Sequence, residues 1–347
     1  MVRRSKQQDR LRYGIGEWYG KLITSLTPEE RDQRATAAKL APTTANMLCP
    51  FRSDGGRQVV CQKRGGVCTL RYYRKDDATG DAIPVEGHAG NLVTVCPERF
   101  NENHVVYKWI GEKLLAHSVP WLIGQVNFLE RVSTPIIESA AGVDSSNEQS
   151  LPGDADASYV GRIDCVLVNP EKSDPMVWCA LEMQAVYFSG MAMSQEYDNL
   201  KDHIRPGLPF PSANRRPDWR SSGPKRLLPQ LQVKVPTLRR WGKKMAVLVD
   251  EQFFSTLAPM EEVTDVSNSD IVWFVIGYDY EDGAARLVRR KTILTTLERA
   301  VEGLTAGVPV TQGMFERQIK FQLDKLSTDV LARTLLARSR VDADEVT

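Results

Sequence analysis

The chain has 347 residues, 42% of them hydrophobic and 26% charged, the balance of an ordinary globular protein with room for a large core or for a catalytic domain and a smaller module. No apolar run approaches the ~18 residues needed to span a bilayer, and the basic start Met1-Val2-Arg3-Arg4-Ser5-Lys6 is followed by no hydrophobic stretch, so neither a membrane partner nor a secretory signal is expected, and a cytoplasmic location is. The net charge of +1 hides an asymmetry: Arg205 to Lys244 holds eleven Lys and Arg against Asp218 alone, and Arg52 to Lys75 holds seven against Asp54 alone, the footprint of a polyanionic partner.

Residues 1–40 read as helical, with Thr27 as N-cap, Pro28 at N1 and Glu30 at N3. From about Ala41 to Pro97 periodicity fades while Gly, Arg and Cys become frequent, as in a small module stapled by a metal. Asn101 to His117 reads as a helix and Trp121 to Val132 as a strand. The polar stretch from Ser133 to Ser158 leads to two strands, Tyr159 to Asn169 and Val177 to Phe188, with a turn at Pro170 to Pro175 between them. The basic segment 205–244 contains Pro206, Pro209, Pro211, Pro217, Pro224, Pro229 and Pro236; it is expected to begin as a long loop and to end in a short helix from Pro236 to Lys244. Met245 to Val249 and Ile271 to Gly277 are nearly continuous apolar runs, as in strands buried on two faces. Helices are expected at Lys291 to Leu304 and at Met314 to Arg338, the last with Phe315, Ile319, Leu323, Leu326 and Val330 along one face, packing on its own domain rather than forming a dimer. This order predicts an α/β fold with a mixed sheet flanked by helices, divided into a segment 1–100 and a larger domain 101–347.

Two acids interrupt the apolar strands. Asp164 lies beside the apolar half-strand Cys165-Val-Leu-Val168, and Glu182 lies within Val177-Trp-Cys-Ala-Leu-Glu-Met-Gln-Ala-Val-Tyr-Phe188. Burying an ionised carboxylate without compensation costs several kcal/mol, so each needs a partner. Glu182 and Gln184, two apart, project to the same face of a strand. An acid on one strand, with an acid and a polar residue two apart on the next, is the layout of a divalent-metal nuclease. The carboxylates and a strand carbonyl, for which Met183 is the natural candidate, would hold Mg²⁺, and the ion would polarise the phosphate and activate water. Most nucleases of this layout carry a lysine where this chain has Gln184, which can position a water but brings no charge. The structural alternative is that both acids bond buried backbone or an arginine such as Arg162.

Cys49, Cys61, Cys68 and Cys96 form a second group, with Pro50, Pro97 and Gly65-Gly66 suited to sharp turns around an ion. Four thiolates suit Zn²⁺ or Fe, and the spacing does not separate the two; four unrelated buried thiols are the alternative. Cys165 and Cys179, in the strands, read as core. None of His88, His104, His117 and His203 has the spacing of a zinc hydrolase or a His-based nuclease.

Cys49-Pro50-Phe51, Cys61, Gly66-Val67-Cys68 and Val95-Cys96-Pro97-Glu98-Arg99, followed by Asp164, Glu182-Met183-Gln184 and Phe188-Ser189-Gly190, resemble the NotI-type restriction endonucleases over roughly residues 49–300. The resemblance implies a PD-(D/E)xK nuclease fold with an N-terminal four-cysteine iron module, a homodimer, Mg²⁺-dependent cleavage of a specific double-stranded DNA site, and a cognate DNA methyltransferase in the same system that is not a stable subunit. It makes Asp164 and Glu182 the Mg²⁺ ligands, Gln184 the substitute for the lysine, and Cys49, Cys61, Cys68 and Cys96 the iron ligands. Ile163 stands where the pattern has proline, and Glu112 is a candidate for a further helix acid at the site.

Arg215, Arg216, Arg220, Lys225, Arg226, Lys234, Arg239 and Arg240 are the candidates for contacts to DNA phosphates and base edges. Two other functions remain open to the same residues: a repair or structure-specific nuclease, which would cut without a sequence rule, and a DNA-binding protein with a vestigial nuclease core.

Overall fold

The computed structural model describes residues 11–52, 58–130, 159–190, 193–307 and 310–326. The chain divides into two units, Met1–Thr305 and Ala306–Thr347.

The first unit opens with a strand where a helix is expected. β1 (Leu11–Trp18) pairs with the short β2 (Lys21–Leu22) and, along its length, with β3 (Val67–Lys75), to which β4 (Ala82–Pro84) and β5 (Val93–Thr94) add. Gly16 of β1 admits a close approach: a Cβ there would lie 2.4 Å from Leu92. The helical reading holds from residue 28: α1 (Pro28–Ala38) begins with a reciprocal capping box, Glu30 N donating to Thr27 Oγ1 at 3.2 Å and Thr27 N to the Glu30 carboxylate at 3.1 Å. Residues 1–10 of the expected helix lie outside the described residues. A single-turn α2 (Pro42–Ala45) leads into the cysteine-bearing segment.

The expected helix after Asn101 is α3 (Val105–Ile110), extended by a π-turn over Gly111–Leu115. The next expected strand is broken in two, β6 (Trp121–Ile123) and β7 (Val126–Glu130), which join different sheets. The polar stretch after it falls in residues 131–158, outside the described residues. β8 (Tyr159–Ile163), β9 (Cys165–Ser173) and β10 (Met176–Met183) follow; β10 stops five residues short of the expected end, and Phe188 belongs to a separate β11 (Phe188–Ser189). After α4 (Ser194–Asp202) and β12 (Arg216–Pro217), the basic segment is helical much earlier than its prolines suggest. α5 (Trp219–Ser222) runs through a π-turn, Gly223–Leu227, into α6 (Leu228–Arg240). Pro224 and Pro229 sit at the two junctions of this run, where the hydrogen-bond pattern changes into and out of the π-turn, and Pro236 is inside α6.

β13 (Met245–Asp250), α7 (Glu251–Ser255), β14 (Ile271–Glu281), β15 (Ala284–Thr295) and α8 (Leu297–Thr305) complete the unit. The expected helix from Lys291 is therefore strand as far as Thr295, where Thr292-Ile293 favour extended backbone. The main sheet has the order β15-β14-β13-β10-β9-β6, parallel across β10, β13 and β14 and antiparallel elsewhere, the mixed sheet expected. Alternate residues sort to its two faces. Val247, Val249, Trp273 and Val275 share a core with Leu231, Val235 and Leu238 of α6, while Ala246, Leu248, Phe274 and Ile276 pack with Val106, Tyr107 and Ile110 of α3. Cys165 and Cys179 are core residues here, as read. Among the described residues, no helix is long and apolar enough to cross a membrane. The second unit contains α9 (Gln312–Leu326), with Phe315, Ile319 and Leu323 at helical spacing; the rest of the expected helix, including Val330, lies outside the described residues.

Buried polar groups tie the N-terminal sheet to the main one. Arg99 donates to Glu17 of β1 at 2.8 Å, to Glu102 at 2.7 Å and to the Ala285 carbonyl of β15 at 3.0 Å. Asp250 caps α7 through Phe253 N at 2.7 Å and accepts from Thr94 N of β5 at 2.6 Å. Burial raises the Asp250 pKa to about 6, against about 3.9 in an unfolded chain. The native state therefore holds this proton more tightly: the contribution to stability is full below about pH 4 and is lost as pH rises through about 6. Asparagine caps helices equally well and has no proton to lose. In urea titrations, the stability of the wild type relative to Asp250→Asn is expected to fall by about 2–3 kcal/mol from pH 4 to pH 7. A difference independent of pH would show an ordinary aspartate.

Candidate active site

The register of the main sheet assembles the two acids. Leu181 of β10 faces Cys165 of β9, so the next rung sets Glu182 beside Asp164, which occupies the bend between β8 and β9. The two carboxyl-bearing residues thus stand opposite each other on adjacent strands. Asp164 is exposed and Glu182 is buried. Burial raises the Glu182 pKa to about 7, with Asp164 pushing the same way and Lys234 opposing. Lys234 of α6 is itself buried and forms an ion pair with Glu182 Oε1. The compensation that a buried glutamate requires thus comes from the basic segment and not from Arg162, whose guanidinium donates to Gln125 at 3.3 Å. Beyond β10, Gln184 N donates to Leu248 O at 3.0 Å and so prolongs the parallel ladder, while its side-chain amide donates to the Ala185 carbonyl.

Asp164, Glu182, Met183 and Gln184 line a cleft of about 540 Å³. The same lining includes Lys225 and Arg226 from the π-turn before α6, and Lys63 from the cysteine-bearing segment. The Arg226 guanidinium stacks over Tyr187, 3.6 Å from the ring centroid. The arrangement suits a polyanion: two acids able to hold a cation, and three cationic side chains in the same lining.

The eight basic candidates divide. Lys225 and Arg226 face the cleft. Arg216, Arg220 and Arg240 are exposed elsewhere. Arg215 is buried and paired with Glu196 at 2.8 Å, Lys234 is buried on Glu182, and Arg239 is held by Asp270 at 2.8 Å and Glu298 at 3.1 Å. Glu112 pairs with Arg289 at 2.8 Å and is not brought into the cleft. Lys63 was visible only as part of the second basic stretch, of which residues 53–57 lie outside the described residues. Lys234 carries a signal in its spacing: three after Leu231 and four before Leu238, it belongs to the apolar face of its helix.

The four cysteines meet in a second cavity of about 200 Å³. Backbone bonds bring them together in pairs. Cys49 N donates to Val59 O at 2.8 Å and Cys61 N to Met47 O at 2.7 Å, while Val95 N and Cys96 N both donate to Cys68 O, at 3.0 and 3.2 Å. Gly66, at φ +64°, makes the turn into Cys68, and a Cβ there would strike the Tyr19 ring. All four thiols are buried and reduced. Cys49 and Cys61 share a hydrogen bond that lowers the pKa of the first and raises that of the second, and burial raises those of Cys68 and Cys96. Among the described residues, no three His, Cys, Asp or Glu side chains stand converged on one ion position. The Cys61 and Cys68 thiols turn instead to the carbonyls of Lys63 and Gly66, at 3.7 and 3.6 Å. Lys63 and Pro97 line both cavities, so the cysteine cavity and the cleft share a wall.

No curated protein matches the chain. The sequence profile of the family described as Restriction endonuclease NotI matches residues 35–287, a span that holds the four cysteines, both acids and the whole basic segment. With well over half of its length matched, the chain belongs to the NotI family of restriction endonucleases, enzymes that cleave specific DNA.

Proposed function

We propose that this chain is a Mg²⁺-dependent type II restriction endonuclease built on a PD-(D/E)xK core, working in the cytoplasm as a homodimer beside a cognate methyltransferase. The observation that carries the reading is the meeting of Asp164, Glu182 and Gln184 in one cleft whose lining also holds Lys225 and Arg226. The donor set fits a hard cation: two carboxylates opposite each other on adjacent strands, with Met183 in the same lining. Bound there, Mg²⁺ would supply the Lewis acid that polarises the phosphate and lowers the pKa of the attacking water. Asp164 and Glu182 hold the ion. Gln184, once its amide leaves the Ala185 carbonyl, orients the water by hydrogen bonds. Lys225 and Arg226 draw the phosphate chain into the cleft.

The cysteine set fits a soft ion, since four buried thiols line one small cavity and their backbone pairings fix the four attachment points. Cys49, Cys61, Cys68 and Cys96 would hold structural Fe, with Zn the other candidate, after the thiols of Cys61 and Cys68 turn from the carbonyls they face.

The reading is tested by incubating the purified protein with several large sequenced DNAs and Mg²⁺, with an EDTA control. Discrete fragments with common ends are expected. A metal-dependent smear would replace sequence-specific cleavage by a repair or structure-specific activity, and uncut DNA bound tightly would leave a DNA-binding protein.

A further inference from the structure

The cleft lacks a lysine on its strand but not in its surroundings. We propose that Lys234 of α6 is a positioning residue of the site, which supplies through the Glu182 carboxylate the positive charge that Gln184 does not bring; the idea rests on the nuclease reading above.

Three observations support it. First, Lys234 is 3% exposed and its ammonium lies on Glu182 Oε1. It is absent from the lining of the cleft, so it reaches the reaction only through Glu182. Second, the lining of the cleft holds two carboxylates opposite each other on adjacent strands, while Gln184 contributes no charge. An ammonium against them offsets part of their mutual repulsion and limits rotation of the Glu182 side chain, as required of a group that must present an oxygen to a cation. Third, Lys234 sits between Leu231, Val235 and Leu238 on the buried face of α6. An ammonium is sustained in such surroundings by a partner, and the partner is the glutamate of the site. The basic segment thus divides its work: Lys225 and Arg226, before α6, face the polyanion, and Lys234, within it, faces the acid.

The experiment compares wild type, Lys234→Met and Lys234→Arg in single-turnover cleavage of a cognate duplex at saturating Mg²⁺. DNA affinity is measured against salt without Mg²⁺. Because Lys234→Met strands a buried carboxylate, the double variant Lys234→Met/Glu182→Gln, which removes both charges, is included in the binding arm. Expected for Lys234→Met is a cleavage rate about 10²–10⁴-fold lower per folded molecule. DNA affinity should stay within about threefold in both Lys234→Met proteins, with an unchanged salt slope. Lys234→Arg should recover at least about tenfold of the lost rate, since it keeps the charge on Glu182. Cleavage by folded Lys234→Met within about tenfold of wild type would overturn the proposal. So would weaker binding with a salt slope reduced by about one phosphate, which would make Lys234 a DNA contact. A wild type that cuts no DNA with Mg²⁺ would overturn the nuclease reading and this proposal together.

Discussion

Asp164→Asn is expected to bind DNA as the wild type does and to cut it at least about 10³-fold more slowly, because a cation held by one carboxylate fewer forfeits several kcal/mol of transition-state stabilisation. Asp164 is the cleaner of the two acids to change. It is exposed, in a bend between strands, and its substitution leaves no buried charge behind. Glu182→Ala should abolish cleavage as fully and also weaken the fold. It removes the partner of buried Lys234, and breaking a buried pair from one side costs about 3–5 kcal/mol. Single-turnover cleavage and urea titration together separate the effects: both variants lose activity, and only Glu182→Ala loses stability. Asp164→Asn cutting within about tenfold of wild type would remove the acid from the mechanism.

The second large effect concerns the cysteine cavity. Elemental analysis is expected to find one tightly held transition-metal ion per chain, and to name it as iron or zinc. Cys68→Ala should abolish that stoichiometry. The cost in stability is expected near 3–5 kcal/mol, below the ~10–16 kcal/mol apparent in peptides that fold only around zinc, because a hydrophobic core surrounds this site. For a domain of this size that corresponds to a fall of about 10 °C in Tm, with a chelator producing the same fall in the wild type and none in the variant. Metal-free protein whose Tm ignores both treatments would leave four buried thiols and no ion.

The acids of the site were legible because they break a pattern. A glutamate inside an apolar strand is conspicuous, and the period of two places Gln184 with it. The capping box at Thr27 and the doubly buried strands at Met245 and Ile271 were legible for the same reason, since each is a local pattern set by a single physical requirement. What escaped depends on neighbours distant in sequence. β1 was read as helix because its strand character rests on β3, more than fifty residues on. The helical run from Trp219 was read as loop because prolines argue against helices in general, yet those at 224 and 229 fall at the junctions of a π-turn, where the regular bonding pattern is already broken. Charge counting placed Lys234 and Arg215 among DNA contacts, and tertiary packing turned both inward onto glutamates.

The cleft draws its walls from residues 63–97, 164–187 and 225–230. Those stretches leave the ribosome in sequence, the acids well before the helix that bears Lys225, Arg226 and Lys234. A chain that stops before residue 225 therefore carries both carboxylates without Lys225, Arg226 and Lys234, and the cleft is complete only when all three stretches are present. If the proposed site is the one that cuts DNA, scattering the cleft along the chain ties that ability to the completion of folding, so that no fragment holds the whole of it.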